Sequence, residues 1–150
     1  MDDLTFRPAK HTDASLLAEL NQQLQIDESH RRRMKLPELE RRMADWLQAG
    51  GYQAVIFERR GRPVGYALYR RETEPDDFYY LKQFFVCRDC RRQGVGREAI
   101  AWLIALAWRD SPMVYLDVLS NNARGIEFWR AIGFADYSIT MECRLVNVQE

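Results

Sequence analysis

Arg91-Arg92-Gln93-Gly94-Val95-Gly96-Arg97 stands at the junction of two differently patterned stretches, and its reading decides the fold. Upstream, Tyr79-Tyr80-Leu81-Lys82-Gln83-Phe84-Phe85-Val86 is rich in aromatic and β-preferring residues and lacks Gly and Pro, which predicts a strand. Downstream, from Val95 to Trp108, apolar residues recur at 95, 99, 102, 103 and 106, the spacing of a helix face. The glycines therefore fall where a strand has ended and a helix begins. There they let the backbone approach a ligand closely, and the first-turn N–H groups of the helix have no internal partner. Those donors, the positive end of the helix dipole and the side chains of Arg91, Arg92 and Arg97 together describe a cradle for a diphosphate.

Two other readings compete. A glycine-containing loop with solvated arginines explains the composition, but Gly in the first helical turn costs about 1 kcal/mol against Ala, and here there are two. Gly94-Val95-Gly96-Arg97-Glu98-Ala99 also fits the G-x-G-x-x-G/A dinucleotide fingerprint, with Asp117 on the next apolar run. In that fold the strand runs almost directly into the first glycine, whereas Cys87 to Gln93 intervene here. A six-stranded doubly wound sheet would also need more chain after Ala99 than remains.

The chain has 150 residues, enough for one domain over 1–150 with a sizeable core. Hydrophobic residues make up 47% and charged residues 29%, with zero formal net charge, so no electrostatic footprint suggests a nucleic acid or a membrane surface as partner. No apolar run approaches the ~20 residues of a membrane span, and the acidic start is unlike a secretory signal, so a cytoplasmic location is expected. Cys87-Arg88-Asp89-Cys90 raises zinc or redox chemistry, but no second paired motif supplies the remaining ligands and His11 and His30 are isolated. We read the three cysteines as incidental thiols and expect no metal.

Taken in order, Leu4 to Arg7 predicts a short strand, and Thr12 or Asp13 can cap a helix with Leu16, Leu17, Leu20 and Leu24 on one face. A polar connector covers 27–36. A second helix opens near Pro37, buries Leu39, Met43, Trp46 and Leu47, and ends at Gly50-Gly51. Strands over 52–58 and 63–69 flank Arg60-Gly61-Arg62, a hairpin signal. After the central strand, glycine loop and long helix come a strand from Met113 to Leu119, a helix capped by Asn121 or Asn122 and ended by Gly133, and a last strand or pair over Tyr137 to Leu145. The order β-α-α-β-β-β-α-β-α-β is an α+β arrangement: a mixed, mostly antiparallel sheet flanked by about four helices.

Arg91-x-x-Gly94-x-Gly96, five residues after Val86, resembles the signature of the GCN5-related N-acetyltransferase (GNAT) superfamily. Asn122, Gly125, Phe128, Gly133 and Phe134 fall in register with that family's second hallmark, and the two motifs with the strand order cover nearly the whole chain. The same residues also read as a capped amphipathic helix. The resemblance implies an acyl-CoA N-acyltransferase fold and acetyl-CoA-dependent acetylation of a small-molecule or peptide amine by direct transfer. It implies that the glycine loop (Arg91, Arg92, Gln93, Gly94, Val95, Gly96, Arg97) holds the cofactor pyrophosphate and that Phe84, Phe85 and Val86 bond the pantetheine arm. Asn122 and Trp129 would line the other side of the slot.

Two positions depart from the family pattern. Trp129 stands where a Tyr is often cast as the acid, and an indole N–H cannot act as an acid near neutral pH. Lys82 and Gln83 stand before Phe84, where many members carry a carboxylate base. Asp117 and Glu28, with His30 in the connector, are the remaining candidates for the catalytic base. A non-catalytic acyl-CoA-binding module and a nicotinamide-dependent oxidoreductase are the alternatives, and a homodimer stays open. If the cysteines are incidental, neither a chelator nor a reductant will move the melting temperature; a stoichiometric metal in the purified protein would overturn that reading.

Overall fold

A computed structural model describes residues 3–28 and 31–146, so His30 lies outside the described residues. Strand β1 (Leu4–Pro8) ends at its proline, and a 3-10 turn (His11–Asp13) leads into α1 (Ala14–Asp27). Asp13 sits at the helix start without capping it through its side chain. Its carboxylate instead accepts from Arg7 (3.0 and 3.1 Å) and from the Lys10 N–H at 2.8 Å. Helix α2 (Leu36–Gln48) carries Pro37 in its first turn, as expected.

Strands β2 (Tyr52–Arg59) and β3 (Arg62–Glu72) are joined by Arg60 and Gly61, both left-handed at φ 55° and 73°. This is the two-residue turn whose twist suits a hairpin. Strand β4 (Phe78–Val86) follows, then α3 (Val95–Trp102) and β5 (Val114–Leu116). The sheet order is β1-β2-β3-β4-β5, antiparallel except for the parallel β4–β5 pair. Contacts divide the chain into two compact units, Met1–Leu119 and Ser120–Glu150. The second unit holds α4 (Ala123–Ala131) and the segment that follows it.

Alternation along β3 separates the two faces of the sheet. Tyr66 and Leu68 join Ile56, Phe85, Leu17, Leu20, Leu24 and Met43 in the core beneath α1 and α2. On the opposite face Tyr69 packs edge-on to Trp108 (5.6 Å), and Phe6 stacks on Trp102 at 4.7 Å.

Three expectations are corrected. The helix predicted to Trp108 turns into a π-helical segment over Leu103–Ala107, where the Trp108 N–H reaches back to the Leu103 carbonyl at 2.8 Å. One extra residue per turn rotates the later positions, so Trp108 is buried while Leu106 is half exposed. The strand expected over 113–119 is only three residues long. The final strand expected over Tyr137 to Leu145 does not form: no residue from 134 to 145 belongs to a strand or helix, because an alternating sequence needs a neighbouring strand to complete its backbone hydrogen bonds.

Gly65 lets β3 and β4 close. A Cβ there would lie 2.2 Å from the Phe85 carbonyl oxygen and 2.9 Å from the Phe57 ring. Gly65→Ala should therefore cost about 2 kcal/mol or more and lower Tm by at least ~4 °C, read by thermal denaturation. An unchanged Tm would mean that the strands are not held this tightly.

Candidate active site

The site grows out of the stretch of β4 beyond its pairing with β5. That pairing covers only Tyr79–Leu81 against Val114–Leu116. From Lys82 onward no strand lies along that side of β4 among the described residues. Lys82 is itself the extra residue of a bulge, since Leu68 pairs with Gln83 and Tyr69 with Leu81. The phase of the ladder beyond it follows from one bond. The Cys87 N–H donates to the Val64 carbonyl at 2.8 Å, and antiparallel residues alternate between bonded and non-bonded pairs. Phe85 is thus bonded to Tyr66 on the β3 side, whereas the backbone groups of Phe84 and Val86 point away from β3, where the Val86 carbonyl accepts from Arg91 Nε at 3.0 Å. The expectation that all three would offer backbone groups on that side is narrowed to two.

Downstream, Arg88–Cys90 forms a 3-10 turn and the loop passes through Arg92 and Gly94, both left-handed at φ 65° and 78°. Gly94 is the N-cap of α3 and no side chain caps the helix. The first N–H to find an intrahelical partner is that of Glu98, bonded to the Gly94 carbonyl at 2.9 Å. The N–H groups of Val95, Gly96 and Arg97 are the uncapped donors of this helix start. Val95 contributes backbone only, since its side chain is buried, while Arg92 and Arg97 are exposed.

Arg91 and Gln93 do not point freely at an anion site. Arg91 donates through Nε to the Val86 carbonyl (3.0 Å) and through its terminal nitrogen to Asp27. Arg88 donates to the other oxygen of Asp27 at 2.7 Å. Gln93 accepts from Arg59 at 2.6 Å and donates to the Asp89 carbonyl at 3.2 Å. These side chains hold the loop in shape. Burial alone would raise the Asp27 carboxyl, but the hydrogen bonds and charges of Arg91 and Arg88 outweigh it and keep the group below its ordinary range.

The first catalytic candidate, Asp117, follows β5 and accepts a 2.6 Å hydrogen bond from the Tyr80 hydroxyl. Partial burial and this bond push the Tyr80 phenol up to about 12, so it stays a donor at neutral pH. Glu28 is the C-cap of α1. Nearby Tyr66 is kept protonated by burial first, against the pull of Arg42 and with help from Glu28, and its hydroxyl donates to Gln83 Oε1 at 2.8 Å. Cys87 and Cys90 are free thiols; burial pushes the Cys87 thiol up, so it is not poised as a thiolate.

In the second unit, Asn122 Oδ1 accepts from the Gly125 N–H at 3.0 Å. A Cβ on Gly125 would lie 2.5 Å from the Asn122 amide, which explains the small residue three positions on. Trp129 packs edge-on to Phe128 (4.9 Å) and Phe134 (5.2 Å). Sequence reading missed Asp27, Tyr80 and Tyr66. Asp27 is 64 residues from Arg91, so no local pattern could have paired them. For Tyr80 the signal was available, because parallel pairing of the two apolar runs sets it beside Tyr115 and hence near Asp117.

Residues 17–134 match the model of the Acetyltransferase (GNAT) family. None of the curated proteins is a significant sequence match. Among solved structures, a predicted acetyltransferase from Clostridium acetobutylicum with acetyl-CoA superposes with a TM-score of 0.76 at 20% identity, covering 95% of this chain and 97% of that one. The aminoglycoside N-acetyltransferase AAC(6')-Iy in complex with CoA gives 0.76 at 18% identity, over 96% and 95% of the two chains. A ribosomal-protein-alanine N-acetyltransferase from Brucella melitensis biovar Abortus 2308 gives 0.73 at 17%, over 95% and 100%. At these identities the likeness is one of fold.

The Asp27 clamp generates a test within the loop. Asp27→Asn keeps the shape but removes the charge and one of the two acceptor oxygens, since an amide NH2 cannot accept from an arginine, and about 1.4 kcal/mol lost from the loop is a tenfold weaker coenzyme A affinity. Arg88→Gln, on the more exposed arm, should cost less. Because the Asp27 carboxyl is depressed, its contribution is complete above the ordinary value of 3.8 and is lost only as pH falls through the lower folded value. Affinity measured calorimetrically should therefore not respond to Asp27 between pH 5 and 8. Wild-type affinity in Asp27→Asn would show that the loop needs no clamp.

Proposed function

The chain belongs to the Acetyltransferase (GNAT) family, and on that premise we propose that it transfers the acetyl group of acetyl-CoA directly to the amine of a small molecule or peptide. The observation that carries this reading is the pairing of two features at the two ends of one loop. One is the strand edge of β4 with Phe84 and Val86 turned outward; the other is the uncapped start of α3. The first fits an extended pantetheine arm, which bonds as an added strand would. The second fits its diphosphate.

Arg92 and Arg97 supply the free positive charge there, while Arg91 and Gln93 serve the cofactor by shaping the loop. Asn122 and Trp129 are assigned to the cofactor on the family motif alone. The matched segment 17–134 crosses the boundary at 119, which supports one functional domain made of both units. Three free cysteines suit a reducing cytoplasm. The structural relatives named for aminoglycoside and ribosomal-protein acetylation both take amines.

In the reaction the amine nitrogen attacks the thioester carbonyl carbon, the C–S bond breaks and the thiolate of coenzyme A leaves. Outward backbone N–H groups on β4 are the donors for the oxyanion that forms between those steps. An ammonium near ~10.4 is poorly matched to any carboxylate base, so Asp117 draws the cationic amine and passes its proton through water, with Glu28 the weaker candidate. The departing thiolate, whose conjugate thiol lies near ~8.5, accepts a proton from water or the new ammonium. No acid is required at Trp129.

Gly96→Glu tests the assignment. A carboxylate in the first turn suits the helix dipole, so the fold should persist, but it would occupy the donors the diphosphate needs. Thermal shift should show stabilisation of the wild type by coenzyme A and not by NAD, with the coenzyme A shift abolished in the variant. Thiol release on an amine panel then reports transfer. Stabilisation by NAD alone would return the dinucleotide reading, and coenzyme A binding with no transfer to any amine would leave a binding module.

A further inference from the structure

The charge of Arg42 is not accounted for by its surroundings. The side chain is partly buried and runs from α2 toward α1, where one terminal nitrogen donates to Oδ1 of the buried Asn21 at 3.0 Å. The guanidinium lies over the Trp46 ring, 4.5 Å from its centroid. Its Nε is buried without a hydrogen-bond partner, and its other terminal nitrogen has none among the described residues. Glu38 and Asp45, one turn away on α2, do not pair with it. Arg7, Arg71 and Arg130 are by contrast held by Asp13, Asp77 and Asp136. Hydrogen bonds to those carboxylates push the three guanidiniums up, whereas burial pulls that of Arg42 down against a smaller opposing pull from Tyr66. A cation withdrawn from water needs compensation, and here a neutral amide and an aromatic ring supply what there is.

This cation stands close to the strand on which the acyl group is placed. Burial keeps the Tyr66 phenol up, and Arg42 is near enough to oppose it. The same hydroxyl donates to Gln83 Oε1 at 2.8 Å, and Gln83 immediately precedes Phe84 on β4. We propose that Arg42 binds a carboxylate of the acceptor, so that the amine substrate is an amino acid or a peptide with a free carboxylate near its amine. The inference rests on the transferase reading and names its substrate class. A carboxylate supplies the missing counter-charge, and a guanidinium offers its two oxygens several donors in one plane. Asn21 and Trp46 already hold that plane in position, so little ordering is left for binding. A phosphate fits less well, because it carries about −1.5 to −2 charges while Asn21, Tyr66 and Gln83 beside Arg42 are neutral. A polycationic amine would meet a like charge.

The test compares a set of amino acids and dipeptides with their carboxamides, which keep the shape and lose the charge. Thiol release from acetyl-CoA by the wild type should give a kcat/KM at least about tenfold higher for the carboxylates, the worth of one hydrogen-bonded charge pair. A nearby negative charge favours the ammonium, so this preference runs against the intrinsic reactivity of the two amines. In Arg42→Gln, which keeps a donor for Asn21, the preference should disappear while coenzyme A still raises the melting temperature. Arg42→Lys, which keeps the charge, should restore part of it. Equal turnover of carboxylates and carboxamides by the wild type would overturn the inference and leave the transferase reading intact. Coenzyme A binding without thiol release on either set would overturn both. A preference that survives in Arg42→Gln would place the carboxylate on another residue and overturn the assignment.

Discussion

A β-strand has two hydrogen-bonding edges, and nearly everything proposed for this protein depends on β5 pairing with β4 only as far as Leu81. Beyond that point the ladder with β3 decides which groups β4 turns outward. The bulge at Lys82 is part of that decision. Side chains alternate strictly, so without one extra residue the positions on one side of Lys82 would change face relative to those on the other. With it, Tyr79 packs against Trp108 while Phe85 joins the core under α1. Gly65, pressed against the Phe85 carbonyl, keeps the two strands close enough for this register to hold.

The loop that follows is organised by charge more than by packing. Four arginines, at 88, 91, 92 and 97, crowd one end of the sheet around an exposed segment. Asp27, largely screened from water at the end of α1, ties two of them down. A carboxylate at a helix C-terminus opposes the helix dipole, a cost that two charge-assisted hydrogen bonds offset. The division of labour is therefore between side chains that shape the loop and backbone donors that face outward. Arg92 accepts a left-handed backbone that glycine would adopt more easily, which keeps a cation at that point of the turn.

The site lacks strong acid–base groups, and its arrangement is consistent with chemistry that asks mainly for orientation. Tyr80 holds Asp117, and Tyr66 holds Gln83, so two polar side chains near the divergence of β4 and β5 have their positions set by a phenol. An acyl transfer between a good leaving thiol and an amine gains most from alignment and a donor for the oxyanion. Rigid, hydrogen-bonded side chains on strands suit that need better than a mobile general base would.

Sequence alone determined what short-range physics controls. The hairpin at Arg60-Gly61, the strand ending at Val86, the left-handed Gly94 before a helix and the Asn122 cap all depend on a few neighbouring residues, and each was legible as local pattern. Tertiary structure decided whatever depends on phase or on distant partners. The π-helical step after Trp102 exchanged Leu106 for Trp108 in the core, which a constant helical period cannot foretell. The ladder phase turned Phe84 and Val86 rather than Phe85 away from β3, and Asp27 reached across 64 residues to hold Arg91. Tyr137 to Leu145 shows the limit most clearly: alternation specifies a strand's two faces, but a strand exists only where another supplies its hydrogen bonds, and that partner is not written in the segment itself.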